Sequence, residues 1–255
     1  VGKVDLNVFS ELLNPAWYTF AERNVLVPNP EWFMPAWLPH LKALEAVWCK
    51  THDATGIFAQ HHPRTEYIGW TSRDCLEAKV PRERSLIHIA GDSVSKGTRH
   101  VIAAMAMLPE YHLTLLTSQR WGPVTANVEV RGRLEGPEFL VEQNRHMIHL
   151  CPSTYEGFGH YINEARSVGA FIITTNAAPM NELVTEEFGM GCAVASTGPE
   201  RMGYAHQADP QALADCIRLA MKAPEESLRH CGVKARAAYL AGREEFDHHL
   251  IRVMS

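Results

Sequence analysis

Short runs of aliphatic and β-branched residues alternate with helix-length amphipathic segments along most of the chain. Such alternation predicts parallel βαβ units with both sheet faces covered, an α/β protein built of Rossmann-like parallel sheets. Strands are expected at 4–9, 24–28, 46–50 and 66–70, and then at 86–90, 112–117, 127–131, 147–151 and 170–175. Between them Trp37, Leu41, Leu44 and Val47 recur at helical spacing, as do Val101, Met105 and Leu108. Beyond Asp209 the pattern is helical throughout: Leu213, Cys216, Ile217 and Ala220 share a face, and 240–253 predicts a terminal helix.

Residues 71–85 break this rhythm. Seven of the fifteen are charged, one is proline and no apolar period is present, which predicts a linker. The expected organisation is a reduced N-terminal Rossmann-like domain, 1–75, on one side of a cleft. A C-terminal Rossmann-like domain with terminal helices, 76–255, would face it. No internal repeat is visible.

Composition narrows the function classes. At 255 residues the chain is long enough to bury roughly 70% of its unfolded surface. A net charge of −5 argues against nonspecific nucleic-acid binding. No apolar stretch approaches the roughly 20 residues of a spanning helix, and no signal peptide is evident. Peripheral membrane contact is compatible with this pattern. Six cysteines without a C-x-x-C pair read as reduced thiols in a cytoplasmic protein. The pair His146-x-x-His149 falls on a strand, where the spacing sends the two rings to opposite faces and disfavours a metal site. Most of the six tryptophans are expected in the core.

In open parallel sheets ligands sit beyond the carboxyl ends of strands, and two of those loops carry distinctive chemistry. In IHIAGDSVSKGTRH a strand runs into a small polar loop with Lys96 and then a helix near Thr98. A lysine and unpaired N–H groups there suit a phosphate, although the loop is not a Walker sequence. In MIHLCPSTYEGFGHYINEA the strand ends at Cys151, Glu156 lies among Gly157 and Gly159, and Glu164 falls about two turns into the next helix. Two carboxylates so placed can reach opposite ends of one extended ligand.

The segment PSTYEGFGHYINEARSVG, 152–169, resembles the paired-glutamate motif of the group 1 glycosyltransferases, glycosyltransferase family 4, of GT-B fold. The resemblance extends from about residue 85 to the C-terminus, with AGDSVSKGT similar to the family's lysine loop and VRGRL to its base-binding turn. It implies that Glu164 holds the ribose of a nucleotide-sugar donor. By the same resemblance Glu156, Gly157, Phe158, Gly159 and His160 contact the transferred sugar. Lys96 would neutralise the diphosphate with Ser93 and Thr98 nearby, and Arg133 with Leu134 would flank the base. Glu156 and Lys96 are the implied catalytic pair, and Asn29, Glu31 and His52 are the acceptor-side candidates across the cleft.

What the resemblance implies is transfer of a hexose from a nucleoside-diphosphate sugar to an acceptor hydroxyl, with retention of configuration. No cofactor is implied, and the donor is a substrate, with UDP favoured as the commonest nucleotide in such enzymes. A saccharide or glycolipid acceptor in polysaccharide biosynthesis is the corresponding expectation. No D-x-D dyad follows a strand, so metal-independent chemistry is expected. Two departures stand against the family pattern. The lysine loop is one residue short and offers Asp92 and Ser93 where an arginine is usual. The first unit lacks the family's N-terminal strand and glycine-rich loop, as in a chain that begins late or a reduced domain. These departures give weight to one alternative, a noncatalytic nucleotide-sugar-binding partner subunit; a second alternative is an epimerase or hydrolase of the same fold, which would consume donor without an acceptor.

Overall fold

The computed structural model describes residues 2–255. Two parallel sheets organise the chain. The first contains β1 (Val4–Ser10), β2 (Ala21–Val27), β3 (Ala46–Cys49) and β4 (Thr65–Tyr67), hydrogen-bonded in sequence order. Helix α1 (His52–Ala59) crosses between β3 and β4, and Thr51 caps it by accepting the Ala54 N–H at 3.1 Å. Residues Pro35–Ala43 form a 3-10 helix instead of the α-helix predicted by the spacing of Trp37, Leu41 and Leu44, and Val47 belongs to β3. Pro39 inside that segment removes a backbone donor and disfavours an α-helix.

The second sheet contains β5 (Glu83–Gly91), β6 (Leu113–Thr117), β7 (Val128–Arg131), β8 (His146–Cys151), β9 (Phe171–Thr175) and β10 (Gly189–Cys192). Its order is β10-β9-β8-β5-β6-β7, so the winding reverses between β5 and β8. Helices α2 (Thr98–Ala106), α3 (Gly136–Arg145) and α4 (His160–Ser167) make the crossovers, and α2 packs into a core with Leu86, Leu113 and Ile148. An antiparallel hairpin, β11 (Val194–Glu200) and β12 (Gly203–Ala208), follows β10. The sequence pattern did not predict β10, β11 or β12. β10 has only four residues, two of them glycine, and the hairpin lies outside the large sheet with mostly exposed or half-buried side chains.

Helices α5 (Pro210–Lys222) and α6 (Glu225–Met254) complete the chain, with Asp209 capping α5. The terminal helix is longer than expected, about 45 Å at 1.5 Å per residue. It begins in the core of the second sheet at Leu228 and ends against the first, where Phe246 packs with Val25, Trp48 and Ile68. The expected linker is a packed strap. Cys75 donates its N–H to Ser167 Oγ at 3.0 Å and accepts Asn144 Nδ2 at 2.7 Å, while Arg236 clasps Asp74. Side chains from α3, α4 and α6 thereby satisfy strap polar groups that have no sheet partner. The last residues of the charged run enter β5 at Glu83, which is in register with His146.

All six cysteines are free, and four are buried. Of the tryptophans only Trp48 is fully buried, whereas Trp17 and Trp32 are about half exposed. His146 and His149 hold separate partners, Glu142 and the Gln143 carbonyl. No helix among the described residues is long and apolar enough to cross a membrane.

Candidate active site

The reversal between β5 and β8 opens a crevice at their carboxyl ends, the place where doubly wound sheets bind ligands. The lysine loop leaves β5 and the glutamate loop leaves β8, so both expected motifs meet at this point. They are stitched together: Thr154 donates its N–H to the Ser95 carbonyl at 2.8 Å, and its hydroxyl reaches the same oxygen at 3.1 Å. Gly97 makes the approach feasible. It has φ +73°, and a Cβ there would overlap the Pro152 carbonyl.

Lys96 and Glu156 form an ion pair at 2.5 Å, with side chains only 18% and 8% exposed. The same Glu156 oxygen accepts Ser153 Oγ at 2.5 Å, and Ser153 Oγ lies 2.7 Å from the Tyr161 hydroxyl. The Lys96 ammonium also stands 4.2 Å from the centroid of the Tyr161 ring. Ser153 and Tyr161 are thus positioning residues that the sequence reading left unassigned, although both sit inside the glutamate motif. Glu164, on α4, accepts Gln143 Nε2 at 3.1 Å. Burial raises its carboxyl above the ordinary range, with the Gln143 hydrogen bond opposing. Gln143 comes from the buried face of α3, and no local sequence signal marks it.

Most of the remaining expected donor residues line the cleft or its rim, and one does not. Ser93 lies in the lysine loop, with its hydroxyl 2.9 Å from that of Ser95. Phe158, Gly159 and His160 line the cleft; Gly159 caps α4, and the His160 ring lies 2.9 Å from Ser72 Oγ on the strap. Arg133 and Leu134 follow β7, where Arg133 is well exposed and pairs with Asp92 at 3.2 Å and Glu135 at 3.1 Å. Asp92, which with Ser93 occupies the part of the loop where the resemblance leads one to expect an arginine, therefore ties the lysine loop to the Arg133 turn. Thr98 is placed differently: it is fully buried, and its hydroxyl faces His88 Nε2 at 3.0 Å, so it supports the helix start from beneath.

The first sheet closes the other side of a cleft of about 290 Å³ lined by Lys96, Glu156 and Phe158 together with Asn29, Glu31 and Lys50. A Cβ at Gly157 would overlap the Asn29 carboxamide, so the two halves meet closely at this glycine. Asn29 is fully engaged, donating to Glu11 at 3.0 Å and accepting from Lys50 at 2.8 Å. Lys50 is buried at the end of β3, and burial lowers its ammonium pKa against the opposing pull of Glu11. Glu11 and Lys50, polar residues just beyond β1 and β3, were not among the expected site residues.

Glu31 is buried and its Oε2 has no hydrogen-bond partner. Burial pushes its carboxyl up to about 7; its own backbone N–H and Lys50 oppose the shift, while Glu156 and Glu11 reinforce it. His52 is not brought to this cleft. Its ring stacks on Tyr67 with centroids 4.0 Å apart, in a separate chamber with Trp70 and Arg166. Its backbone N–H and that of Asp53 both donate to Glu182, at 2.8 Å each, so a carboxylate of the second half caps a helix of the first. Among the described residues no three His, Cys, Asp or Glu side chains gather as a metal site.

No family model and no curated protein sequence matches the chain. Solved structures do match. A glycosyltransferase from Rickettsia africae ESF-5 superposes with a TM-score of 0.72 at 13% identity, covering 97% of this chain and 75% of that one. The pneumococcal O-GlcNAc transferase GtfA, in complex with UDP and GlcNAc, gives 0.72 at 16% identity, covering 100% of this chain and 57% of that one. Sucrose-phosphate synthase from Thermosynechococcus elongatus gives 0.74 at 16% identity, covering 98% and 72%. The fold is GT-B. The chain is thus shorter than each of these neighbours, and at such identities the likeness speaks for architecture alone.

Proposed function

We propose that the protein is a glycosyltransferase that moves a sugar from a nucleoside-diphosphate sugar to an acceptor hydroxyl. The observation that carries this reading is the Lys96–Glu156–Ser153 network at the switch point of the second sheet, facing the cleft, with Glu164 on the helix that follows. Breaking the sugar–phosphate bond leaves the electron pair on the diphosphate and positive charge at the anomeric carbon. Lys96 retains ammonium N–H groups for the phosphate oxygens beyond the one bound by Glu156, and α4 presents its N-terminus nearby. Glu156, fixed by Lys96 and Ser153, orients hydroxyls of the transferred sugar. Glu164 takes the ribose hydroxyls, and Arg133 with Leu134 borders the base.

Retention, metal independence and UDP as the donor nucleotide belong to this proposal. The resemblance of the glutamate motif supports retention, with the acceptor attacking on the leaving-group face while its proton passes to the departing diphosphate. Lys96 as the diphosphate's cation supports independence from a metal. Two neighbours, GtfA and the Anabaena protein HepE, are described in complex with UDP. Assignment to glycosyltransferase family 4 within the GT-B fold rests on the same motif.

The test is thermal stabilisation by UDP, GDP, ADP and CMP, each in EDTA and in Mg²⁺. A nucleotide at 100 times its Kd adds about 2.7 kcal/mol to the folded state. One diphosphate is expected to raise Tm in EDTA, with the shift lost in Glu164→Ala. No shift from any nucleotide overturns the reading.

A further inference from the structure

We infer that Glu31 is an acceptor-binding residue at the inner end of a second channel, and that this channel takes an uncharged sugar and rejects anionic ones. This rests on the glycosyltransferase reading above.

A cavity of about 150 Å³ adjoins the main cleft and shares Glu31, Tyr155 and Glu156 with it. Its outer wall is Asp53 from α1 and Tyr204 with His206 from β12. The cleft and the channel therefore converge on one point, the pair of carboxylates Glu31 and Glu156. Lys96 and Ser93 line only the cleft, which makes that the phosphate side. The channel remains for the second substrate.

Its lining defines the ligand chemistry. Among the described residues that border it there is no lysine or arginine, and three carboxylates face it. His206 is held at Nδ1 by Thr197 at 2.9 Å, and burial lowers its pKa against the pull of Asp53, which favours the neutral ring near pH 7. Burial raises the Asp53 carboxyl, as does Glu182. Carboxylates accept hydrogen bonds and repel anions, so this surface suits a ligand rich in hydroxyl donors. The exposed Tyr204 ring, centred 6.4 Å from that of His206, offers an apolar face to a sugar ring at the mouth.

Glu31 is the group in this channel with an unmet demand. Its buried Oε2 has no partner, and a buried acceptor without a donor is costly. The other two acceptor-side candidates are already occupied, Asn29 by Glu11 and Lys50 and His52 by its stack on Tyr67. A hydroxyl of the acceptor sugar beside the reacting one would supply the missing donor.

The experiment uses the full chain with UDP-glucose and UDP-N-acetylglucosamine as donors. The acceptors are neutral hexosides together with their 6-phosphate and uronate counterparts, and products are read by mass spectrometry. Neutral acceptors are expected to react at least tenfold better in kcat/KM than the anionic ones. Glu31→Ala is expected to raise acceptor KM tenfold or more while leaving the UDP-induced thermal shift unchanged, and Asp53→Asn to narrow the preference against anionic acceptors. A preference for anionic acceptors, or an unchanged acceptor KM in a folded Glu31→Ala protein that still binds UDP, overturns this inference and leaves the donor reading standing. Absence of nucleotide binding removes both.

Discussion

The two walls of the cleft solve opposite electrostatic problems. On the wall of the second sheet the buried carboxylate Glu156 is paired, held by Lys96 and Ser153 at 2.5 Å each. On the wall of the first sheet the buried carboxylate Glu31 has an oxygen without any partner, because the nearby Lys50 is committed to Glu11 and Asn29. A preassembled cation suits a ligand whose charge is fixed, such as a diphosphate, and needs no rearrangement when that ligand arrives. An unpaired acceptor suits a neutral ligand that brings its own donors. On the proposed reading, unequal satisfaction of two carboxylates, the more buried of which is the unpaired one, separates the substrates.

Removing the cation attacks the paired wall directly, and it carries the largest expected effect. Lys96→Ala leaves the largely shielded Glu156 beside Glu31 with no positive partner; breaking a fully buried pair costs about 3–5 kcal/mol, and this part-buried pair is expected to cost less. Turnover of donor is expected to fall about 10²–10³-fold through the loss of charge stabilisation at the phosphate. The double variant Lys96→Ala/Glu156→Gln separates the two consequences: chemical denaturation should show much of the stability restored, while steady-state turnover stays low. Full activity in the double variant would sink the assignment of Lys96.

How far this contrast was legible in the sequence depends on the wall. The second sheet announced itself through nine expected strands of which five belong to it, and through Lys96 and Glu156 in strand-end loops with Glu164 on the helix that follows. Local spacing sufficed because each motif is continuous in the chain. What escaped was made by distant segments. Gln143 meets Glu164 from another helix, Glu182 caps α1 from across the cleft, and Arg201 of the unpredicted hairpin donates to the Trp32 carbonyl at 2.8 Å. Asn29, Glu31 and His52 looked alike as strand-end polar residues. Only the packing of Tyr67, Glu11 and Lys50 around them leaves Glu31 free, and no periodicity encodes that outcome.

Glu31→Gln sharpens the contrast through stability. The carboxyl is pushed from 4.5 to about 7 in the folded protein, so the folded state holds its proton longer than the unfolded chain does. Stability from the neutral form is therefore complete below pH 4.5 and is lost as pH rises through 7, a change of about 3 kcal/mol. Glutamine stays neutral throughout. The variant should match the natural protein at pH 4.5 and exceed it by about that amount at pH 8 in urea titrations. Glu11, Lys50 and Glu156 face Glu31 from the cleft, Tyr155 lies between the two cavities, and Asp53 with His206 faces it from the channel. All six remain in both proteins, so the difference between the two curves isolates Glu31. A stabilised variant that also binds its acceptor poorly would show a group kept at a cost for function. Parallel stability curves would remove the distinction between the walls.

The smallest effect concerns what holds the walls together. Glu182 accepts two N–H groups at the start of α1, and removal of a cap of this kind costs about 1 kcal/mol. In a chain of this length that corresponds to about 2–4 °C in Tm. Glu182→Ala should show this loss, and Glu182→Gln, which keeps one good acceptor oxygen, should recover part of it. The informative measurement is acceptor KM in Glu182→Ala. Asp53 sits at the mouth of the channel on the helix that Glu182 anchors, so a loosened α1 should raise acceptor KM and leave UDP binding intact. If Tm drops while both binding steps stay unchanged, the strap and α6 alone set the spacing of the walls, and the Glu182 contact is a local cap with no part in aligning them.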